Sequence, residues 1–183
     1  MSFLNYYVIY KGVKEKMNSP YDGDFKVTQT QHSQHDGLDI VGIDSKEIHA
    51  TISGAVQYAG WQNPNDHSEG FGQYVCIRGI DGYFYYYGHL SEIKVKTGQS
   101  VKITDVIGIE GFTGYTEPKG VNGSHCHYCI RKNFAIGNAL STPLLSGIPN
   151  ALGIYNDGHK PKANAKEEII ITLGGKKYKI MEV

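Results

Sequence analysis

Apolar and polar residues alternate in short runs along most of this chain, and turn residues separate the runs. The clearest pair, Gln73–Arg78 and Tyr83–Tyr87, flanks a glycine-containing turn and predicts a β-hairpin. Glu168–Leu173 and Lys176–Met181 flank a Gly-Gly turn and predict a second hairpin. No stretch of ten or more residues has the apolar spacing of an amphipathic helix. The pattern predicts an all-β fold of antiparallel sheets in a sandwich-like or barrel-like core.

The other predicted strands are shorter. Phe25–Gln29 and Leu38–Val41 come first, followed by a loosely alternating run from Ile48 to Tyr58 in which Gly54 marks a bulge or a bend. Glycine-rich and polar stretches at Trp61–Gly72 and Gly111–Gly123 are predicted to be loops. Further strands are predicted at 93–96, 100–103, 106–109, 124–131 and 142–145.

The chain divides into three parts. Residues 1–17 are predicted to form an N-terminal arm, and residues 18–147 a single β domain. Residues 148–183 are predicted to be a polar linker, over 148–163, followed by the C-terminal hairpin as an appendage. A length of 183 residues suits one domain with a small addition.

Composition excludes some classes of partner. Eighteen Lys and Arg residues balance eighteen Asp and Glu residues, so no strong field attracts nucleic acid. The apolar start of the chain is broken by Asn5, and its lysines follow rather than precede it, so we expect neither a secretory signal nor a membrane span. Three cysteines predict no simple disulfide framework. The sequence does not define an oligomeric state.

Candidate chemistry is concentrated in the strand that contains His125 and His127. Side chains at i and i+2 of a strand share a face, so the two imidazoles are expected side by side. Imidazole is the commonest metal ligand near neutral pH, and a hydrolytic zinc site typically has three protein ligands and an open position for water. His35 and Asp39 lie four residues apart and offer, with His127, a second nitrogen and a carboxylate.

Several motifs, in order and with their spacing intact from about Asn18 to Leu145, resemble those of the lysostaphin-like zinc endopeptidases. Members of that family cut peptide bonds in bacterial peptidoglycan. The motifs that carry the resemblance are His35–Ile40, Tyr86–Ser91, Gly98–Val101, Asp105–Gly108, Phe112–Gly114 and Ser124–Asn133.

The resemblance implies a site in a groove on antiparallel sheets. It implies that one Zn²⁺ ion is held by His35, Asp39 and His127, and that His89 and His125 are the catalytic histidines. It assigns no substrate-binding residue and does not say whether a stem-peptide or a cross-bridge bond is cut. The function it implies is zinc-dependent hydrolysis of peptidoglycan at the bacterial cell wall. Together with the expected lack of a signal, this points to a bacteriophage lysin (an endolysin) or a virion-associated enzyme.

Three positions depart from the family pattern. Cys126 replaces a Leu that should face the core, and Thr104 stands where Gly is common. Cys129 replaces a Glu and, by strand alternation, shares a face with His125 and His127. Cys126 and Cys129 could be a redox pair or half of a structural zinc site, but residues i and i+3 of a strand point to opposite faces.

Two other interpretations remain. The histidines outside the motifs are interpreted as structural or exposed: His32, His49, His67 and His159. The alternative to an enzyme is a non-catalytic module that binds cell wall or a partner, since some relatives of this family have lost their ligands.

Overall fold

The computed structural model describes residues 6–10, 13–17, 19–32, 34–134, 169–173 and 176–180. Within these ranges the chain is almost entirely β-structure, which confirms the predicted all-β class. None of the described helices is long and apolar enough to cross a membrane. The strands are β1 Tyr6–Tyr10, β2 Val13–Met17, β3 Phe25–Gln29, β4 Leu38–Gly42, β5 Glu47–His49, β6 Gly54–Trp61, β7 Gln73–Gly79, β8 Phe84–Tyr87, β9 Glu92–Ile93, β10 Ser100–Val101, β11 Val106–Ile109, β12 Cys126–Arg131, β13 Ile169–Leu173 and β14 Lys176–Ile180, with a 3₁₀ turn at Val121–Gly123.

A seven-stranded antiparallel sheet carries the fold, in the order β10-β6-β7-β8-β12-β4-β3. A second antiparallel sheet has the order β5-β11-β9. Ile48 of β5 and Ile107 of β11 are fully buried in the same core cluster as Ile77 and Tyr86 of the large sheet. Two sheets therefore share one core, as the strand spacing predicts.

The predicted hairpin around Gly79–Gly82 is confirmed. Strands β7 and β8 pair antiparallel from Val75 opposite Tyr87 to Arg78 opposite Phe84. β8 pairs on its other side with β12, where Tyr86 lies opposite Cys129. The hairpin therefore places the end of β8, just before His89, beside the strand that contains His127.

The run from Ile48 to Tyr58 is two strands, not one. β5 ends at His49 and β6 begins at Gly54, with the fully buried Thr51 between them. The Thr51 hydroxyl lies 2.7 Å from the hydroxyl of Tyr87 and 2.9 Å from that of Tyr128. Buried hydroxyl groups need hydrogen-bond partners. The segment between β5 and β6 is not a strand, and there Thr51 supplies the partner for the hydroxyls of Tyr87 and Tyr128. At Gly54 a Cβ would lie 2.2 Å from the Arg78 carbonyl oxygen, so only glycine allows β6 to begin there.

The terminal segments form hairpins of their own. β13 pairs antiparallel with β14, as predicted, and β1 pairs with β2 within the predicted arm. β1 also contacts β14, so the two terminal hairpins lie against each other. The predicted linker at 148–163 and the predicted strand at 142–145 lie outside the described residues.

Candidate metal centre

Strand register brings three of the predicted residues together. Asp39 on β4 lies directly opposite His127 on β12. His127 Nδ1 is 2.9 Å from Asp39 Oδ1, and His35 Nε2 is 3.0 Å from the same oxygen. The His35 and His127 rings meet edge to face, with centroids 4.8 Å apart. The structure therefore brings together the three residues that the sequence offers as a metal set.

These three side chains fit a zinc ion by their chemistry. One ligand atom from each of His35, Asp39 and His127 lies within 4.8 Å of the others. Two imidazole nitrogens and one carboxylate oxygen form a donor set that Zn²⁺ takes at about 2.0–2.2 Å per ligand, with a fourth position open. His35 Nδ1 lies 3.1 Å from the carbonyl oxygen of Thr30, which orients its Nε2 toward Asp39.

The charge states of Asp39 and His127 also bear on zinc binding. Burial raises the pKa of Asp39, but hydrogen bonds from His127 and His35 outweigh it and hold that pKa far below its usual range. Asp39 is therefore ionised at neutral pH. For His127, burial lowers the pKa, while the hydrogen bonds with Asp39 and Cys129 raise it to about 9. A metal ion binding at Nδ1 must therefore displace a proton from this ring.

His89 and His125 lie beside this cluster. Their rings are 4.6 Å apart, and His125 Nε2 is 3.5 Å from Asp39 Oδ1. Each Nδ1 is 2.7 Å from a backbone carbonyl oxygen, that of Thr113 for His89 and of Gly123 for His125. A carbonyl only accepts, so each Nδ1–H donates and the Nε2 of the neutral ring keeps its lone pair.

The ring of His89 is neutral over the whole physiological range. Burial, together with the neighbouring His125 and His127, lowers its pKa to about 3. Its backbone has a φ of 61°, in the left-handed region that residues other than glycine seldom adopt. His89 follows the end of β8 by two residues, and its ring lies beside the rings of His125 and His127.

All five predicted residues line one cavity of about 710 Å³. His32, which we predicted to be structural or exposed, also lines it and lies 2.9 Å from the Gln29 amide nitrogen. His49 Nδ1 forms a hydrogen bond with the Thr104 carbonyl oxygen. The ring of His67 stacks on that of Trp61, with centroids 3.6 Å apart. Both contacts are expected of structural histidines. His159 lies outside the described residues. The other lining residues are Gln29, Gln34, Asp36, Gly70, Phe71, Tyr115, Thr116 and Glu117.

Sequence reasoning missed Asp36 and Arg131. Asp36 Oδ1 lies 2.9 Å from His127 Nε2, and the buried guanidinium of Arg131 contacts Asp36 Oδ2. Alternation along β12 places Arg131 on the face of His127 and Cys129, so the sequence alone could have predicted this placement of Arg131. Cys129 does lie on the predicted face, with its sulfur within 4.8 Å of Asp36 and His127 ligand atoms. The contact of Asp36 depends on how the chain turns before β4.

Comparison with known proteins places this site in a family. The sequence profile of Peptidase family M23 matches residues 33–139, more than half of the chain. The peptidoglycan DD-endopeptidase ShyC of Vibrio cholerae is 31% identical over 140 residues, which are 76% of this chain and 29% of that protein. The chain spans at most 36% of the length of the first curated relatives that it matches.

Two solved structures share the fold. A mutant catalytic domain of the prophage-encoded M23 protein EnpA of Enterococcus faecalis has a TM-score of 0.52 and 27% identity, over 67% of this chain and 93% of that one. Lysostaphin of Staphylococcus simulans has a TM-score of 0.57 and 24% identity, over 85% and 62%. With the profile match and the converging residues, these comparisons show that the chain belongs to Peptidase family M23, the lysostaphin-like, zinc-dependent family that the motifs predicted.

Proposed function

We propose that this protein is a zinc-dependent endopeptidase that hydrolyses peptide bonds in bacterial peptidoglycan. The observation that carries the proposal is the convergence of His35, Asp39 and His127 on one cavity wall, with His89 and His125 beside them. Relatives in the same family include a peptidoglycan endopeptidase, which supports the same class of substrate.

His35, Asp39 and His127 would hold the metal ion. Zinc bound there would polarise the scissile carbonyl and lower the pKa of a water molecule to about 7. Asp39, ionised and bonded to both rings, supplies one negative charge to the ion. The Thr30 carbonyl holds the ring of His35 in place.

His89 and His125 would move the protons. With each Nδ1–H donated to a backbone carbonyl, each Nε2 can accept a proton from the attacking water. A ring that has taken this proton becomes a donor, so it can stabilise the oxyanion of the tetrahedral intermediate and then protonate the leaving amine. We propose these two as the catalytic histidines.

The bond within the peptidoglycan is left open by this proposal. Relatives of this chain include an L-Ala–D-Glu endopeptidase and a DD-endopeptidase, so the family contains more than one specificity. We propose action at the bacterial cell wall. The bacteriophage origin expected from the sequence stays a prediction.

The decisive experiment measures the release of new amino groups from purified peptidoglycan. We expect release that a chelator abolishes and added zinc restores, and that His127→Ala loses because a ligand is gone. His32→Ala, which alters a histidine of the same cavity outside the proposed set, should keep most of the activity. Zinc bound without release from several wall types would instead support the non-catalytic, wall-binding module.

A further inference from the structure

We propose that Asp36, held by Arg131, is a positioning residue that fixes the tautomer and orientation of the His127 ring for the metal. This inference rests on the proposed role of His127 as a zinc ligand. Asp36 contacts Nε2 of that ring, whereas Asp39 contacts Nδ1.

The two nitrogens of His127 face different carboxylates. Nδ1 lies 2.9 Å from Asp39 Oδ1, on the side of the proposed ion, and Nε2 lies 2.9 Å from Asp36 Oδ1. A carboxylate oxygen can only accept, so Asp36 keeps a hydrogen on Nε2. A neutral ring with its hydrogen on Nε2 has its lone pair on Nδ1, the atom that the proposed ion requires.

Arg131 explains why Asp36 keeps this position. The side chain of Asp36 is 37% exposed and could turn into solvent, whereas Arg131 is only 2% exposed. The guanidinium contacts Asp36 Oδ2, which leaves Oδ1 for His127, so the two oxygens are divided between two partners. Charge-assisted contacts of this kind add geometric specificity to the position of a carboxylate.

Gly37 lets the backbone pass close to the same ring. A Cβ at this position would lie 2.6 Å from His127 Nε2 and 2.7 Å from the Tyr128 carbonyl oxygen. The chain between His35 and Asp39 therefore lies directly against His127. This close approach carries the carboxylate of Asp36 to Nε2.

The same atoms could be taken for a second metal site. Ligand atoms of Asp36, His127 and Cys129 also lie within 4.8 Å of one another. A second divalent cation there would lie next to the buried guanidinium of Arg131, and repulsion between like charges is strong where water is excluded. The carboxylate of Asp36 already has a cationic partner, so the arrangement favours orientation of His127 over a second ion.

The test compares Asp36→Asn with the wild type and with Asp22→Asn, which alters an exposed carboxylate outside the cavity. In Asp36→Asn the amide oxygen can still accept from Arg131, which turns the amide NH₂ toward His127 and favours the wrong tautomer. We expect zinc affinity, measured by competition with a chromophoric chelator, to fall about 10- to 100-fold. Asp22→Asn should bind zinc as the wild type does, and circular dichroism checks that each variant folds.

Arg131→Lys tests the supporting role of the guanidinium. Lysine keeps the charge but loses the planar fork, so we expect a smaller loss of zinc affinity. If Arg131 acts through Asp36, the double variant should bind zinc no more weakly than Asp36→Asn alone. Additive losses would overturn this part of the inference.

One readout needs no variant. In the zinc-loaded wild type, ¹⁵N shifts of the His127 ring should show the hydrogen on Nε2; a hydrogen on Nδ1 would overturn the inference. So would zinc affinity within twofold of wild type in Asp36→Asn, or two zinc ions per chain of which that variant loses one. A wild type that binds zinc tightly yet releases no amino groups would instead refute the proposed activity and leave the role of Asp36 standing.

Discussion

Thr104 has a backbone φ of 73°, a conformation in which a β-branched side chain crowds the chain. Its N–H donates to the Ala50 carbonyl and its own carbonyl accepts from His49 Nδ1, so the fold holds it there. We expect Thr104→Gly to raise the free energy of unfolding by about 0.5–1 kcal/mol, because relief of strain exceeds the added freedom of the unfolded chain. Urea denaturation of the metal-free protein measures it.

Lys102→Gly is the matched control for this prediction. It introduces the same residue at an exposed position two residues earlier, where φ is not positive. There the glycine only adds freedom to the unfolded chain, so stability should fall by about 0.5–1 kcal/mol. Equal destabilisation by both substitutions would show that Thr104 is not strained.

The proposed division between ligands and catalytic histidines is also testable residue by residue. We expect His89→Ala to lower the rate of amino-group release at least about 100-fold while zinc affinity stays close to that of the wild type. His35→Ala should lose zinc binding itself, because it removes one of three ligands. Equilibrium dialysis with zinc separates the two variants, and loss of zinc from His89→Ala would contradict the assignment.

At this scale the sequence predicted five of the residues that line the cavity, but not the contacts around them. Same-face placement at i and i+2 indicated His125 with His127, and the four-residue spacing paired His35 with Asp39. His89 was indicated only by the resemblance to the lysostaphin-like family. The contact of Asp36 with His127 joins the segment before β4 to β12, 91 residues later in the chain. No local rule predicts that approach, which depends on the strand register and on the missing side chain at Gly37.

At the scale of elements, Glu110 ties the end of β11 to three other segments. Its carboxylate accepts from the Tyr21 hydroxyl at 2.6 Å, from the Gly42 N–H at 2.9 Å and from Lys46 Nζ at 2.8 Å. It also accepts from the hydroxyl of Ser124, next to His125, at 2.8 Å. The side chain of Glu110 is fully buried, so this network holds β4 and the residue before His125 around one negative charge.

We expect Glu110→Gln to lower the free energy of unfolding by about 2 kcal/mol, because an amide cannot satisfy four donors and leaves Lys46 without its buried partner. Glu92→Gln, at an exposed position of β9, should change stability by less than about 0.5 kcal/mol. Chemical denaturation of the metal-free protein at neutral pH makes the comparison.

The same network predicts a dependence on pH. Burial raises the pKa of Glu110, but its hydrogen bonds, with that from Lys46 foremost, bring it below the ordinary value of 4.5. The unfolded chain therefore takes up this proton first as pH falls, and the stabilisation present above pH 4.5 is lost through the lower folded-state pKa. The difference in stability between wild type and Glu110→Gln should shrink below pH 4.5. A gap that stays constant would contradict the ionised network.

Strands that are joined by a short turn could be predicted from the sequence. The β7–β8 hairpin followed from its turn and its alternation, as did the pairing of β13 with β14. The break between β5 and β6 did not, because it depends on Thr51 meeting the hydroxyls of Tyr87 and Tyr128, 36 and 77 residues away. Tertiary contacts of that kind override local β-propensity.

For the whole molecule, both sheets of the core are built from β3 to β12. The residues of the buried core run from Tyr21 to Ile130, and all five proposed site residues lie between these positions in the sequence. We therefore expect the predicted domain, residues 18–147, to unfold cooperatively on its own and to bind one zinc ion with the affinity of the full chain. Urea denaturation and zinc titration of this fragment test the boundary. A fragment that does not fold would show that the core requires the terminal hairpins.

The terminal hairpins can be tested for a role in binding the cell wall. β1 contacts β14, so removing residues 1–17 and 148–183 together removes both partners of that contact. If the proposed activity holds and these segments bind the protein to the cell wall, the fragment should cleave small soluble peptidoglycan peptides at the rate of the full chain but cleave intact walls more slowly. Binding near a polymer raises the effective concentration of its bonds, an advantage that a small soluble substrate does not share. Equal losses on both substrates would instead assign the hairpins to the support of the catalytic domain.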